Sequence, residues 1–140
     1  MNVLDENIFE LHRQQLDAWR IRVRQVGVDI GKLGMDDREE IIPLLHSLRR
    51  PTFFTRDKDF YHRWLSHPGY CLVYLDVTPD EAALFIRRFL RHRSFRTQAA
   101  RVGKIVRSIE VASAYGKPVW VREGRSRGDQ RGRQRVRSRV

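Results

Sequence analysis

The run Tyr70-Cys71-Leu72-Val73-Tyr74-Leu75-Asp76-Val77 constrains this chain more than any other segment. It is almost continuously apolar, so it reads as a strand covered on both faces, the pattern of a central strand in a parallel sheet. Thr78-Pro79-Asp80-Glu81 follows at once, with a capping hydroxyl, a proline for the first helical position and a glutamate three residues after the cap. Ala82, Phe85, Ile86, Phe89 and Leu90 then recur at helical spacing, with Arg87, Arg88 and Arg91 on the opposite side. A buried strand that hands over to an amphipathic helix is one unit of an α/β fold.

The same alternation extends toward the amino end. Val3-Leu4 is a short apolar segment running into Asp5-Glu6-Asn7, whose side chains suit a helix start, and Ile8, Leu11, Leu16 and Trp19 would face inward from that helix. Arg20 to Arg24 alternates as a strand wetted on one side, and Gly27, Gly31 and Gly34 break the chain into turns. A second helix is expected from Asp36 or Asp37, because Ile41, Leu44, Leu45 and Leu48 lie on one face; Pro43 requires it to kink or to start near Ile42. Thr52-Phe53-Phe54-Thr55 reads as a third strand, followed by a loop and a helix over the apolar stretch Phe60 to Leu65. Ser94 to Arg101 is left open between a short helix and an irregular connection. Val102 to Val111 and Val119-Trp120-Val121 read as late strands, the last able to return antiparallel through Tyr115-Gly116-Lys117-Pro118. The expected architecture is an α/β/α three-layer sandwich around a mostly parallel sheet, with residues 1–121 as the domain and 122–140 as a basic tail.

Charge narrows the partners. The net charge of +11 over 140 residues favours phosphate backbones, and the stretch from Arg122 to Val140 alone holds eight arginines against Glu123 and Asp129. Its Gly/Ser/Gln/Arg composition offers too few apolar groups to offset the entropy of ordering, so disorder is expected there. The single cysteine, Cys71, lies in the apolar run and reads as a small buried hydrophobe, which points to a reducing compartment. No apolar stretch reaches the roughly 20 residues of a bilayer span, and Asp5-Glu6 is foreign to a signal peptide. A cytoplasmic protein without membrane contact is expected.

In a parallel sheet the ligand crevice lies beyond the carboxyl ends of the strands, and the carboxylates of this chain sit there. Asp5 leaves the first strand; Asp57 and Asp59 leave the third. Carboxylates that converge repel one another unless a cation neutralises them, and hard oxygen ligands suit Mg²⁺ or Mn²⁺. Either motif alone reads better as a helix cap; both together at strand exits put metal binding or catalysis ahead.

At these residues, Val3-Leu4-Asp5-Glu6-Asn7 and Thr55-Arg56-Asp57-Lys58-Asp59-Phe60, the first 110 or so positions resemble the PIN-like families, in particular their short variety. The resemblance implies a metal-dependent endoribonuclease that hydrolyses RNA phosphodiester bonds with Mg²⁺ or Mn²⁺, often as the toxin of a toxin-antitoxin pair. It implies catalytic and metal-holding roles for Asp5, Asp57 and Asp59, and a further acid near the start of the second helix, for which Asp36, Asp37, Glu39 and Glu40 compete. Expected partners are RNA, with an antitoxin protein and a homodimer as further options.

Arg87, Arg88, Arg91, Arg93, Arg96, Arg101, Lys104 and Arg107 offer a track for an RNA backbone, or else a solvated basic face. Tyr61, Trp64 and Tyr70 offer rings for stacking, or else core. The five histidines lack the spacing of a zinc site. Two other readings stand beside the nuclease: a PIN-like module that binds RNA or protein without cleaving, and a receiver-type domain with Asp57 as phosphoacceptor and Thr78 after the fourth strand. The residues following Asp57, Lys-Asp-Phe-Tyr-His, fit a receiver poorly.

Overall fold

A computed structural model describes residues 1–35, 38–110 and 118–123. Asp36 and Asp37, the Tyr115-Gly116-Lys117 connection and the tail from residue 124 onward lie outside the described residues. Strands β1 (Asn2–Leu4), β2 (Arg24–Gln25), β3 (Thr52–Thr55), β4 (Cys71–Asp76), β5 (Ile105–Glu110) and β6 (Pro118–Glu123) form one sheet in the order β2-β1-β3-β4-β5-β6. The first five run parallel, and β6 returns antiparallel to β5. β6 reaches Glu123, two residues into the segment expected to be tail.

Helices α1 (Glu10–Ala18), α2 (Arg38–Ser47), α3 (Ala82–Arg91) and the short α4 (Gln98–Arg101) accompany the sheet. Period-two alternation sorts the strand residues onto its two faces. Leu4, Phe54, Cys71, Val73, Leu75 and Val106 pack with Leu16 of α1 and with Ala82, Phe85, Ile86 and Phe89 of α3. Val3, Phe53, Leu72 and Ile105 point the other way and pack with Ile41 and Leu45 of α2. This is the three-layer α/β/α sandwich. Among the described residues, no helix is long and apolar enough to cross a membrane.

Several local expectations need correction, each for a physical reason. α1 begins at Glu10 and takes no side-chain cap, because Asp5, Glu6 and Asn7 spend their side chains on other partners. The strand read at Arg20 to Arg24 reduces to Arg24–Gln25: Ile21 N–H bonds Leu16 O and Arg20 adopts φ 63°, so the first of these residues close off α1. α2 runs through Pro43 without starting anew. The helix expected over Phe60 to Leu65 is instead two 3₁₀ turns, Lys58–Phe60 and Arg63–Leu65. Thr78 donates its hydroxyl to Glu81 Oε1 (2.6 Å) and caps no backbone amide, and a 3₁₀ turn over Pro79–Glu81 precedes α3. The segment left open resolves into a 3₁₀ turn, Arg93–Phe95, and α4.

Candidate functional site

Chain order explains where a site belongs in this sheet. From β1 the chain moves outward to β2, then returns to the other side of β1 to form β3, and continues outward to β4 and β5. The turnover falls between β1 and β3, and at such a point the loops leaving neighbouring strands part and open a crevice at the carboxyl ends. Asp5 follows β1 directly, and Asp57 stands two residues beyond β3.

Asp5 is buried, 2% exposed. Its Oδ2 accepts from the Thr55 hydroxyl (2.6 Å) and its Oδ1 from the Glu6 amide (2.7 Å). Burial pushes its carboxyl up to about 6, against the lowering pull of the Thr55 and Glu6 donors; the charges of Asp57 and Glu6 add to the rise. Asp57 is therefore close enough for its charge to act on Asp5. Thr55, itself fully buried, links the two acids: it donates to Asp5 and accepts from the Asp57 amide (2.9 Å), with Asn7 Nδ2 at 3.5 Å. Asn7 Oδ1 accepts from the Arg56 amide (3.3 Å), so the β1 and β3 exits are tied at a second point.

The floor below is secured from β2. Buried Gln25 donates through Nε2 to the carbonyls of Asp5 (3.2 Å) and Ile8 (2.7 Å), fixing the turn that carries the first acid. Glu6 reaches across to Gly34, whose amide bonds both its carboxylate oxygens (2.9 and 3.2 Å). Gln25 gave no signal in the sequence beyond being a polar residue beside apolar Val26.

The structure thus brings together Asp5 and Asp57, with Glu6 beside them. Asp59 enters differently from the expectation: its carboxylate is exposed, and its amide donates to Asp57 Oδ1 (2.9 Å), so it helps aim Asp57. Glu40 is exposed on α2, and Asp36 and Asp37 lie outside the described residues. Among the described residues, no three of His, Cys, Asp and Glu are grouped to hold a metal ion. The capping interpretation fails for Asp5 and holds for Asp57.

Beside the acids lies a group that joins Arg107 of the expected track and Tyr61 of the expected rings to Tyr74, which the sequence did not single out. Thr55, Tyr74 and Arg107 are register partners across β3, β4 and β5. Arg107 donates through Nε and Nη2 to Asp76 Oδ2 (3.2 and 2.8 Å), and its guanidinium lies 5.8 Å from the Tyr61 ring centre and 5.9 Å from that of Tyr74. Burial, then the charge of Asp76, with a smaller share from Asp57, raises the Tyr74 phenol.

The expected arginine track divides. Arg87, Arg88 and Arg91 line a cleft of ≈ 290 Å³ on α3 with Leu84 and His92, and Arg87 also lies over Trp19 (4.6 Å). Arg96 is exposed. Arg101 is buried and donates to the carbonyls of Phe95 (2.6 Å) and Arg96 (3.1 Å), Lys104 donates to the Ala100 carbonyl, and Arg107 pairs with Asp76. Arg101 and Lys104 are thereby tied to backbone carbonyls, while Arg107 stays beside Tyr61 and Tyr74. Tyr70 is core, with its hydroxyl on the Leu65 carbonyl. A larger cleft of ≈ 560 Å³, lined by Asn2, Glu10, Arg13, Asp17, Arg22 and Arg24 among others, opens at the amino ends of β1 and β2, away from the acids.

Fold and site together define a class: a doubly wound α/β/α domain with a buried carboxylate and a second acid near its topological switch point. Comparison with family models, with curated proteins and with solved structures returns no match for this chain.

Proposed function

We propose that this protein is a PIN-like, metal-dependent endoribonuclease whose acidic centre is Asp5 and Asp57, with Thr55 as the residue that joins them. The observation that carries the reading is the buried Asp5, whose carboxyl burial raises to about 6 and on which the charge of Asp57 acts. A buried charge of this kind is unfavourable for folding and favourable for binding a cation. Its donors are all oxygen, and Mg²⁺ commonly takes one or two carboxylates while waters and a substrate phosphate complete the shell. Asp5 and Asp57 would hold the ion; Asp36 or Asp37 would supply any further acid.

When bound, Mg²⁺ or Mn²⁺ supplies Lewis-acid polarisation of the scissile phosphate and lowers the pKa of an attacking water. The chain's own residues set the geometry. Thr55 fixes one Asp5 oxygen by donation, the Asp59 amide fixes one Asp57 oxygen, and Gln25 holds the turn beneath. Asp5 must be ionised to bind a cation, so activity is expected to fall as pH drops through about 6. Exposed Arg96 and the arginines of α3 would draw in the RNA backbone. The resemblance also makes a toxin role and an antitoxin partner part of the proposal.

The test is cleavage of RNA with Mg²⁺ or Mn²⁺, with and without EDTA, by the wild type and Asp57→Asn. Metal-dependent cleavage by the wild type, lost in the variant while RNA binding persists, is the expected result. A wild type that binds RNA and never cleaves it favours the non-catalytic binding module. A receiver domain shares this strand order. It would be revealed by an acyl phosphate on Asp57 after treatment with a small phosphodonor.

A further inference from the structure

We infer that Tyr61, Tyr74 and Arg107 form a stacking shelf for a nucleobase of single-stranded RNA, one step along the sheet from the acidic pair. The inference rests on the nuclease reading for its substrate class, and on independent geometry for its location.

Period-two alternation puts Asp5, Thr55, Tyr74 and Arg107 on one face of the sheet, the face that Val3, Phe53, Leu72 and Ile105 present to α2. The row closes β1 and β3 at their carboxyl ends, while β4 and β5 run on past it to Asp76 and Ile109. Thr55 contacts Asp5, Tyr74 is the register partner of Thr55, and Arg107 is the register partner of Tyr74. Adjacent strands are about 4.8 Å apart, so Tyr74 and Arg107 stand roughly 5 and 10 Å along the row from Thr55. A base attached next to a phosphate at the acids would reach this distance.

The shelf has the chemistry for a base. Tyr61, from the turn that follows Asp57, lies with its ring centre 6.1 Å from that of Tyr74, tilted by 35°. The Arg107 guanidinium sits within cation–π range of both rings, and Asp76 fixes its plane through two hydrogen bonds. Tyr61 and Tyr74 are only partly buried, in contrast to Tyr70, which is sealed in the core at 3% exposure. Because Asp76 offsets the charge of Arg107, the shelf attracts a planar π face more than a phosphate. Stacking of this kind tolerates any base.

The experiment uses full-length Asp57→Asn in EDTA, so that binding is read without cleavage, and a fluorescein-labelled oligoadenylate of eight nucleotides as probe. Tyr61→Ala and Tyr74→Ala in this background are expected to weaken binding about tenfold each. Tyr61→Phe and Tyr74→Phe, which keep the ring, should bind as the parent does. An oligonucleotide with one abasic position, moved along the strand, should lose affinity at one position with the parent and at none with Tyr61→Ala. Circular dichroism melting shows whether each variant is folded; a variant that does not fold passes the decision to the abasic series on the parent. Equal affinity of the folded alanine variants, an abasic series without a sensitive position, or a parent that does not bind the oligonucleotide overturns the shelf. Binding that depends on the rings while the wild type never cleaves with metal leaves the shelf standing and removes the nuclease reading.

Discussion

Asp5 is the residue where folding and function oppose each other most sharply. Its carboxyl rises from 3.8 in the unfolded chain to about 6 in the fold. Between those values the folded state holds a proton that the unfolded state has released, so stability falls as pH rises through the window and levels off above it. The difference is on the order of 3 kcal/mol, present as extra stability below about pH 4 and lost above about pH 6. Asp5→Asn keeps an acceptor for the Glu6 amide and removes the buried charge. It is expected to be about 1–3 kcal/mol more stable than the wild type at pH 8 and to lose the slope between pH 4 and 6. Urea unfolding at a series of pH values measures both, and an unchanged slope would sink the assignment. Thr55→Val conserves shape, leaves one Asp5 oxygen without its hydroxyl donor and orphans the Asp57 amide. The expected cost is about 1–3 kcal/mol. Because Thr55 is the largest influence lowering the Asp5 carboxyl, its loss should also move the pH at which stability levels off to a higher value, readable in the same titration.

At the scale of elements, local chemistry and tertiary demand agree in the middle of the chain and part company at its start. β4 and α3 carry their own signals: a continuous apolar strand, then an apolar face in register with Phe85, Ile86 and Phe89. The β1-α1 connection does not, because the three polar residues that would cap a helix are taken by the site. β2 has only two residues and depends on pairing with β1 and on the Gln25 side chain, so periodicity misplaced it. The end of α1 shows the same override. Arg20 occupies the left-handed region at φ 63°, while the Arg20 and Ile21 amides bond back to Asp17 and Leu16, the geometry that glycine serves best. Its side chain is exposed. Arg20→Gly is therefore expected to raise stability by about 1 kcal/mol, seen as an upward shift of the thermal midpoint; a downward shift would mean that the arginine side chain outweighs the backbone strain.

For the molecule as a whole, the charge is layered. Residues 124–140 carry seven arginines against Asp129, which is six of the eleven net positive charges. If the tail contributes to RNA binding through phosphates, a chain ending at Glu123 should show a shallower dependence of log affinity on log salt, by up to about 4 units for single-stranded RNA. Filter binding between 50 and 300 mM salt reads this directly. An unchanged slope would assign the phosphate contacts to the folded body, where Arg87, Arg88 and Arg91 are placed together.

The sequence by itself determined the layered α/β/α architecture, the parallel central strands, the burial of Cys71, and the exit of Asp5 and Asp57 from strand ends. These follow from hydrophobic periodicity and turn chemistry, which act over a few residues and are written locally. Only the tertiary structure decided that Asp5 is buried, that Thr55 binds both acids, that Asp59 contributes an amide to Asp57, and that Tyr74 and Arg107 stand in the same row. Those depend on which strands become neighbours and in what register, and a one-residue slip would turn each side chain to the opposite face. Neighbours 50 residues apart in sequence, such as Asp5 and Thr55, meet because burying the whole core sets the register, and no local pattern encodes that choice.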